Sequence, residues 1–398
     1  MQKEKTSFLS TTPPLVTVTR GDDPYENAFK ALSALKLPPL AGKRILLKPN
    51  AGRLVPACSG ITTHPSVVAA AIDFFRQFSP SEILLGESPI LGVRALDALE
   101  KAGMSEIARG RGVQLVDLDE GPAFELPVPR GKLLHSLRVC GPIREVDYLV
   151  SIPVMKTHMH TVVSLSIKNM KGVLWRREKA RLHQLEYPAL PPGQGKALDV
   201  AIADMAEVLR PDLALIDGTI GLEGLGPSEG EPKKANLVVA SLDCLAADAV
   251  AAFLMGFEPA SIPHLRMAAE RGLGTIDLDR IKILPPEYRL FQQSFAPPPK
   301  KISIQYPDVT VHDCNSCSAC LSTTLLFLRR YLPEVPKSLF QDGKLILGIG
   351  KDIKDPPPGI VLIGNCTAAH KEAGIYIPGC PPIASSILLR LKEKADQK

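Results

Sequence analysis

Apolar runs without polar alternation recur between residues 15 and 285, and amphipathic segments separate them. The runs LVTVTR (15–20), RILLKPN (44–50) and ILLGES (83–88) predict buried strands. Further runs of this kind lie at 113–119, 148–156, 213–219 and 236–241. Strands that are apolar on both faces need cover on both faces, so the pattern predicts an α/β fold with a largely parallel, helix-covered sheet.

The amphipathic segments predict the covering helices. Residues 24–35, 197–209 and 244–256 have helical periodicity. The segment THPSVVAAAIDFFRQF predicts another helix, with Thr63 as its N-cap and Pro65 in its first turn.

The length of 398 residues exceeds one ordinary core, so more than one domain is expected. The tract FAPPPKK predicts a stiff linker at 296–301. We expect residues 1–295 to form the sheet domain, as one body or two lobes. Residues 302–398 alternate again and predict a small α/β module that contains a helix, two strands and two further helices.

The composition excludes several classes of protein. Apolar residues make up 45% and charged residues 22%, and no apolar run reaches the roughly 18–20 residues that span a bilayer, so a soluble, non-membrane protein is expected. The opening MQKEKTSFLSTT has no apolar secretory core, which favours the cytoplasm. The charge of +5 is scattered, which favours an anionic small molecule over nucleic acid. The sequence indicates no oligomeric state.

The densest chemistry lies in the C-terminal module, where Cys314, Cys317 and Cys320 form a C-x2-C-x2-C run. This spacing matches the opening of the bacterial ferredoxin run, but the fourth cysteine of that run is absent. Cys366 and Cys380 follow singly, each where an apolar run breaks at Gly or Pro. The pattern favours one [4Fe–4S] cluster, and we expect Cys317, Cys320, Cys366 and Cys380 to be its ligands.

Other interpretations of the five cysteines stay open. Zinc is the alternative metal, although zinc sites usually contain paired C-x2-C knuckles or histidines. Inert thiols that bind no metal are a further alternative. Disulfides are disfavoured because a cytosolic chain keeps its thiols reduced. Cys314 is the alternative fourth ligand, and we expect it to be the spare thiol because Cys317 and Cys320 lead directly into a predicted helix whose N-terminus favours thiolate.

Polar residues follow several predicted strands at their carboxyl ends, where ligands bind in parallel sheets. They are Lys48 and Asn50, Lys156 and His158, and Asp217. The turn GLEGLGPSEG after Asp217 is rich in glycine and includes Gly226, so its backbone N–H groups could hold an anion. The alternative is a plain wide turn, since the turn lacks the G-K-[ST] of a phosphate-binding loop.

The stretch from Pro153 to Gly172 contains three lysines in largely apolar surroundings, namely Lys156, Lys168 and Lys171. Lysines in such surroundings usually have an acidic partner or an anion. An exposed face is the alternative. Asn169 lies between two of these lysines and could orient a bound ligand.

Five motifs resemble a known family. They are K-P-N at 48–50, T-T-H-P at 62–65, M-K-T-H at 155–158, I-K-N-M-K-G at 167–172 and D-G…E-G-x-G-P-x-x-G at 217–230. In order and spacing they are similar to the family catalogued as domain of unknown function 362, over residues 15–285. The resemblance implies an iron–sulfur protein, with pocket residues Lys48, Asn50, His64, Lys156, His158, Lys168, Asn169, Lys171 and Asp217. The double ferredoxin run of many members is absent, so their partner contacts do not transfer.

These observations predict an iron–sulfur oxidoreductase or electron-transfer protein. Its cluster would exchange single electrons with an anionic small molecule in a cationic cleft or with a partner protein. His158, His64 and Lys156 are the candidate catalytic residues, with the histidines handling protons. One alternative is a [4Fe–4S] Lewis-acid enzyme, such as a dehydratase or desulfidase, with one iron not bound by cysteine. Another is a non-catalytic binding or maturation protein with a structural metal site.

Overall fold

The computed structural model describes residues 12–299, except 91, 189 and 192, and residues 306–397. The chain divides into two compact units, residues 1–297 and 298–398. The first eleven residues and the lysine end of the predicted linker lie outside the described residues.

The first unit is organised around a ten-stranded sheet. Its strands are β1 (Leu15–Arg20), β2 (Arg44–Pro49), β3 (Glu82–Glu87), β4 (Gln114–Asp117), β7 (Tyr148–Ile152), β8 (Val154–His158), β9 (Val162–Ser164), β10 (Leu213–Glu223), β11 (Glu231–Ser241) and β12 (Lys282–Leu284). The order is β12-β1-β11-β10-β7-β2-β3-β4, and β8 pairs with β10 and β9. Strands β5 (Phe124–Pro127) and β6 (Ser136–Val139) form a separate hairpin.

The central strands β10, β7, β2, β3 and β4 run parallel, whereas β11 is antiparallel to both of its neighbours, β1 and β10. The expectation of one strand over 148–156 is wrong, because the chain forms β7 and β8 with Pro153 between them. Proline has no N–H for a strand ladder. Both pieces nevertheless pair in parallel with β10.

Helices cover both faces of this sheet. They are α1 (Pro24–Ser33), α2 (Pro65–Arg76), α3 (Ala95–Lys101), α4 (Met104–Gly110), α5 (Ser166–Asn169), α6 (Glu178–Arg181), α7 (Ala197–Leu209), α8 (Cys244–Leu254) and α9 (Pro263–Glu270). In β2, Leu46 belongs to the core under α7 and α8, while Ile45 and Leu47 belong to the core under α1 and α2. This alternation of side chains explains why the strand is apolar throughout.

The predicted cap of α2 is wrong in one residue. His64 is the N-cap, and its Nδ1 accepts a hydrogen bond from the Ser66 N–H at 3.2 Å, while Pro65 occupies the first turn as expected. The Thr63 hydroxyl instead donates to the Ile152 carbonyl at 2.6 Å and accepts from the Asn50 N–H at 2.8 Å. Thr63 therefore ties the helix entry to β2 and β7.

The second unit contains four parallel strands in the order β13 (Val309–Asp313), β14 (Leu345–Ile349), β15 (Ile360–Ile363) and β16 (Gly374–Ile377). Its helices are α10 (Ser318–Tyr331) and α11 (Ala384–Ala395). The sequence did not predict β13 and β16, and the segment 365–373 is a 3-10 helix. Because the strands are parallel, the loops that follow β13, β15 and β16 lie at one edge of the sheet.

Candidate functional site

Four cysteines lie together at the carboxyl edge of the small sheet. Cys317 caps α10, and its sulfur accepts a bond from the Cys320 N–H at 3.5 Å. The pKa of Cys320 is raised by its hydrogen bond to Cys317, by burial and by the charges of Cys317, Cys366 and Cys380. Burial and the charges of Cys317 and Cys380 raise the pKa of Cys366. These four thiols are therefore close enough to repel one another as thiolates.

Cys314 stands apart from this group. Burial and the charges of Asp313 and Asp352 raise its pKa. Its N–H donates to the Ile349 carbonyl at 2.9 Å, and its side chain packs against the small apolar cluster of Ile353, Ile360 and Leu362. These contacts are those of a packing thiol.

Asn365 joins the two loops that contain the single cysteines. Its Oδ1 accepts from the Gly379 N–H at 2.7 Å, and its own N–H donates to the Gly379 carbonyl at 2.8 Å. Gly364 has φ +99°, and a Cβ there would lie 3.1 Å from Sγ of Cys320. The absence of a side chain at 364 thus leaves space beside that sulfur.

Within the described residues, no three Cys, His, Asp or Glu side chains meet the geometry for holding a metal ion. The charges of Cys317, Cys366 and Cys380 nevertheless act on Cys320, so the four thiols share one neighbourhood.

In the first unit, strand ends converge as the parallel topology requires. The Lys48 ammonium is buried and donates to Glu87 Oε2 at 2.8 Å, to Asn169 Oδ1 at 3.0 Å and to the Pro49 carbonyl at 2.7 Å. An ammonium group has three donors, so all are used. The predicted role of Lys48 as an anion ligand is therefore corrected: it is the internal partner of Glu87, and Asn169 completes its coordination.

Gly172 lies directly against this ion pair. A Cβ at this position would lie 2.4 Å from Cε of Lys48 and 2.5 Å from Oε1 of Glu87. The glycine of the I-K-N-M-K-G motif is therefore explained by close packing, which the sequence alone did not indicate.

Lys156 lies next to this group. Its ammonium donates to Oδ1 of Asn50 and to the Ile61 carbonyl, and Nδ2 of Asn50 lies 3.4 Å from Oδ1 of Asn169. Burial lowers the pKa of Lys156 to about 7, and the positive charge of Arg53 acts in the same direction. Lys156 can therefore gain or lose a proton near neutral pH.

Asp217 has a structural position, because it accepts the His64 N–H at 2.7 Å and the Thr219 N–H at 2.9 Å. Burial raises its pKa, and these bonds oppose the shift. Nδ1 of His64 is occupied by the helix cap. Asp217 and His64 together join α2 to β10.

Gly226 lies in the turn between β10 and β11, which is a hairpin. Its N–H donates to the Gly224 carbonyl at 2.8 Å, so it is not available to an anion. A Cβ there would lie 1.9 Å from the Thr157 carbonyl oxygen. The predicted anion-binding role of Gly226 is corrected to close packing of the turn against β8.

A second group of basic residues lies around Lys168, which is 7% exposed. Burial lowers its pKa well below the usual value, and the charges of Lys171 and Lys156 add to the shift. His158 is also buried, and burial together with the charges of Lys168 and His160 lowers its pKa. The structure thus brings together the predicted residues His158, Lys168 and Lys171.

This group includes residues that sequence reasoning did not select, namely His160, His183 and Lys196. His183 Nε2 lies 2.5 Å from Lys171 Nζ, and Lys196 Nζ lies 3.2 Å from His160 Nδ1. His183 and Lys196 lie in a segment that has no strand end and no motif, so no sequence signal marked them. The one sequence signal for His160 was its position two residues after His158.

The first unit is similar to a known protein family. A profile of the family described as "Domain of unknown function (DUF362)" matches residues 45–253. A thylakoid-associated protein of Synechocystis sp. is 27% identical over 237 residues, which is 58% of this chain and 68% of that protein. None of the described helices is both long and apolar enough to cross a membrane.

Two solved structures are similar at low identity. The lactate racemase apoprotein from Thermoanaerobacterium thermosaccharolyticum matches at 10% identity and a TM-score of 0.40, over 85% of this chain and 69% of that chain. A protein from Thermotoga maritima matches at 12% identity and a TM-score of 0.31, over 64% of this chain and 60% of that chain.

Proposed function

The chain belongs to the DUF362 family, and from this premise we propose that it is an iron–sulfur redox protein. Its second unit would hold one [4Fe–4S] cluster on Cys317, Cys320, Cys366 and Cys380. The observation that supports the proposal best is that these four thiols share one electrostatic neighbourhood while Cys314 lies outside it.

The donor set fits such a cluster. Four neighbouring thiolates repel one another, so their charge is costly unless a cationic centre lies among them. Once such a centre is bound, it lowers the pKa of the thiols. Zinc is the alternative metal for the same four thiols. When bound, the cluster supplies one-electron transfer.

The number of thiols disfavours the Lewis-acid alternative. That chemistry needs one iron without a cysteine ligand, whereas four thiols are present for four iron positions. The sulfurs are supported by the protein: Cys317 Sγ accepts a backbone N–H, and Asn365 fixes the Cys366 and Cys380 loops together. Fully ligated irons favour electron transfer with a small molecule or a partner protein.

The first unit would bind the anionic reactant. Lys168 supplies a buried amine that a bound anion would keep protonated, and Lys156 is the group best placed for proton transfer because its pKa is about 7. His158 is held neutral by burial and acts as a hydrogen-bond donor rather than an acid. Nδ1 of His64 caps α2, so any proton transfer by this residue would use Nε2.

The test is purification without oxygen, followed by iron and sulfide analysis and electron paramagnetic resonance after reduction. We expect about four irons per chain and a reduced-cluster signal. Cys320→Ser should lose or reshape the signal, whereas Cys314→Ser is the matched control and should retain it. Stoichiometric zinc with negligible iron would overturn the proposal, and iron loss in Cys314→Ser would overturn the ligand assignment.

A further inference from the structure

Three imidazoles and three ammonium groups form one basic cluster in the first unit. We call it the Lys168 cluster, and its members are His158, His160, His183, Lys168, Lys171 and Lys196. Burial lowers the pKa of His160 to about 3, with further contributions from Lys196, Lys168 and Lys171. His183 is shifted in the same direction by burial, Lys171 and Lys168. Asp199 is the carboxylate whose charge acts on Lys168.

The ring nitrogens of the cluster have defined roles because of their partners. Nδ1 of His158 accepts the His160 N–H at 3.1 Å, and Nδ1 of His160 lies 3.2 Å from the Lys196 ammonium. Nε2 of His183 lies 2.5 Å from the Lys171 ammonium. An ammonium can only donate, so each of these nitrogens is an acceptor. In a neutral imidazole the opposite nitrogen then carries the proton and donates.

The cluster therefore presents donors that lack an acceptor. Nε2 of His160 is buried and has no hydrogen-bond partner among the described residues. Lys168 is only 7% exposed, and within the described chain its side-chain nitrogen makes no hydrogen bond and no ion pair. A buried lysine without a partner is costly to protonate, so a ligand that supplies negative oxygens would restore its charge.

The backbone next to Lys168 is held by the fold. Asp248 of α8 accepts the Ser166 N–H at 2.7 Å and the Ile167 N–H at 2.9 Å, which anchors the start of α5 in the two residues before Lys168.

We propose that the Lys168 cluster binds the phosphoryl group of a small molecule. This inference rests on the proposed function, because it names the chemical class of the anion. A phosphoryl group carries a charge of about −1.5 to −2 at pH 7 and three acceptor oxygens, which match several separate donors. The cations of the cluster are all lysines, and lysine binds phosphate as a point charge.

The first test measures the melting temperature of the full chain in chloride and in inorganic phosphate at equal ionic strength. Lys168→Met removes the buried amine but keeps most of the side-chain volume. We expect this variant to melt higher than wild type in chloride and to lose the specific rise in phosphate. The exposed Lys234→Met, whose ammonium lies 3.7 Å from Asp22, is the matched control and should respond as wild type does.

Two outcomes would overturn the inference. If Lys168→Met melts lower than wild type in chloride, Lys168 is a structural partner of Asp199. If wild type and Lys168→Met gain equally in phosphate, the effect is general salting-out and not binding.

The second test is calorimetric titration of the wild-type chain with inorganic phosphate, acetate and a tricarboxylate. Phosphate should bind at least tenfold more tightly than either, and Lys168→Met should weaken it by at least tenfold. Tighter binding of the tricarboxylate would reject the phosphoryl assignment. Iron content is measured on the same samples. Failure of phosphate binding with iron retained rejects only this inference. Absence of iron with phosphate bound rejects only the proposed [4Fe–4S] cluster.

Discussion

At the scale of single residues, the buried pair Lys48–Glu87 shows where reasoning from sequence stops. A lysine in an apolar strand indicates that a partner exists, because an unpaired buried charge is costly. The sequence does not say whether the partner is a ligand or Glu87, which lies 39 positions away. Lys168 also lies in an apolar stretch of sequence. Unlike Lys48, its side-chain nitrogen makes no hydrogen bond or ion pair within the described chain.

Gly172 provides a stability prediction at this scale. In Gly172→Ala the new Cβ would overlap Cε of Lys48 and Oε1 of Glu87, so the ion pair must shift. We expect a loss of about 1–3 kcal/mol in the free energy of unfolding, as in other overpacked interiors. Denaturant unfolding of both proteins measures it.

The control for this prediction is Gly52→Ala. No heavy atom lies within 4 Å of a Cβ at Gly52, and its backbone is outside the left-handed region. It should change stability by less than about 0.5 kcal/mol. Equal effects of the two substitutions would show that the contact with the ion pair is not the cause.

At the scale of elements, the sequence predicted most strands of the first unit because burial on both faces removes polar residues from them. It did not predict β13 and β16, because these are short and partly exposed, so their apolar pattern is weak. It also missed His183 and Lys196, because their places in the cluster depend on contacts between distant segments. The sequence marked the loops of Cys366 and Cys380 because apolar runs break there at Gly or Pro.

Asn365 supports a prediction for the cysteine loops. Asn365→Ala removes the side-chain bond to the Gly379 N–H, so the loops of Cys366 and Cys380 are held together less firmly. Supporting contacts of this kind are worth about 10–100-fold in metal affinity. We expect the variant to release iron to a chelator roughly tenfold faster than wild type.

Gln341→Ala is the comparison for this experiment. Gln341 also donates to a backbone group in the second unit, the Pro358 carbonyl at 3.0 Å, but it is remote from the cysteine loops in sequence. It should release iron at the wild-type rate. If both variants release iron equally fast, the effect is one of general stability and the role of Asn365 is rejected.

At the scale of the whole molecule, the buried basic groups make stability depend on pH. The pKa of Lys156 depends on burial and on four charged neighbours. Burial, Arg53 and Lys48 lower it, while Glu87 and Asp217 raise it. The folded-state pKa is about 7 and the ordinary value is 10.5. Between these values the unfolded chain binds more protons than the folded chain, so stability rises with pH.

This sign gives the last prediction, for Lys156→Met. One group that binds a proton only when unfolded contributes a slope of about 1.4 kcal/mol per pH unit. From pH 8 to 9.5, the free energy of unfolding of wild type should therefore rise with pH more steeply than that of Lys156→Met, by about 1 kcal/mol per unit. The variant leaves Oδ1 of Asn50 and the Ile61 carbonyl without their donor, but this cost does not vary with pH and changes only the offset. Lys234→Met, at an exposed site, should keep the wild-type slope. Identical slopes for wild type and Lys156→Met would mean that Lys156 stays protonated in the folded chain, and its assigned role in proton transfer would then be withdrawn.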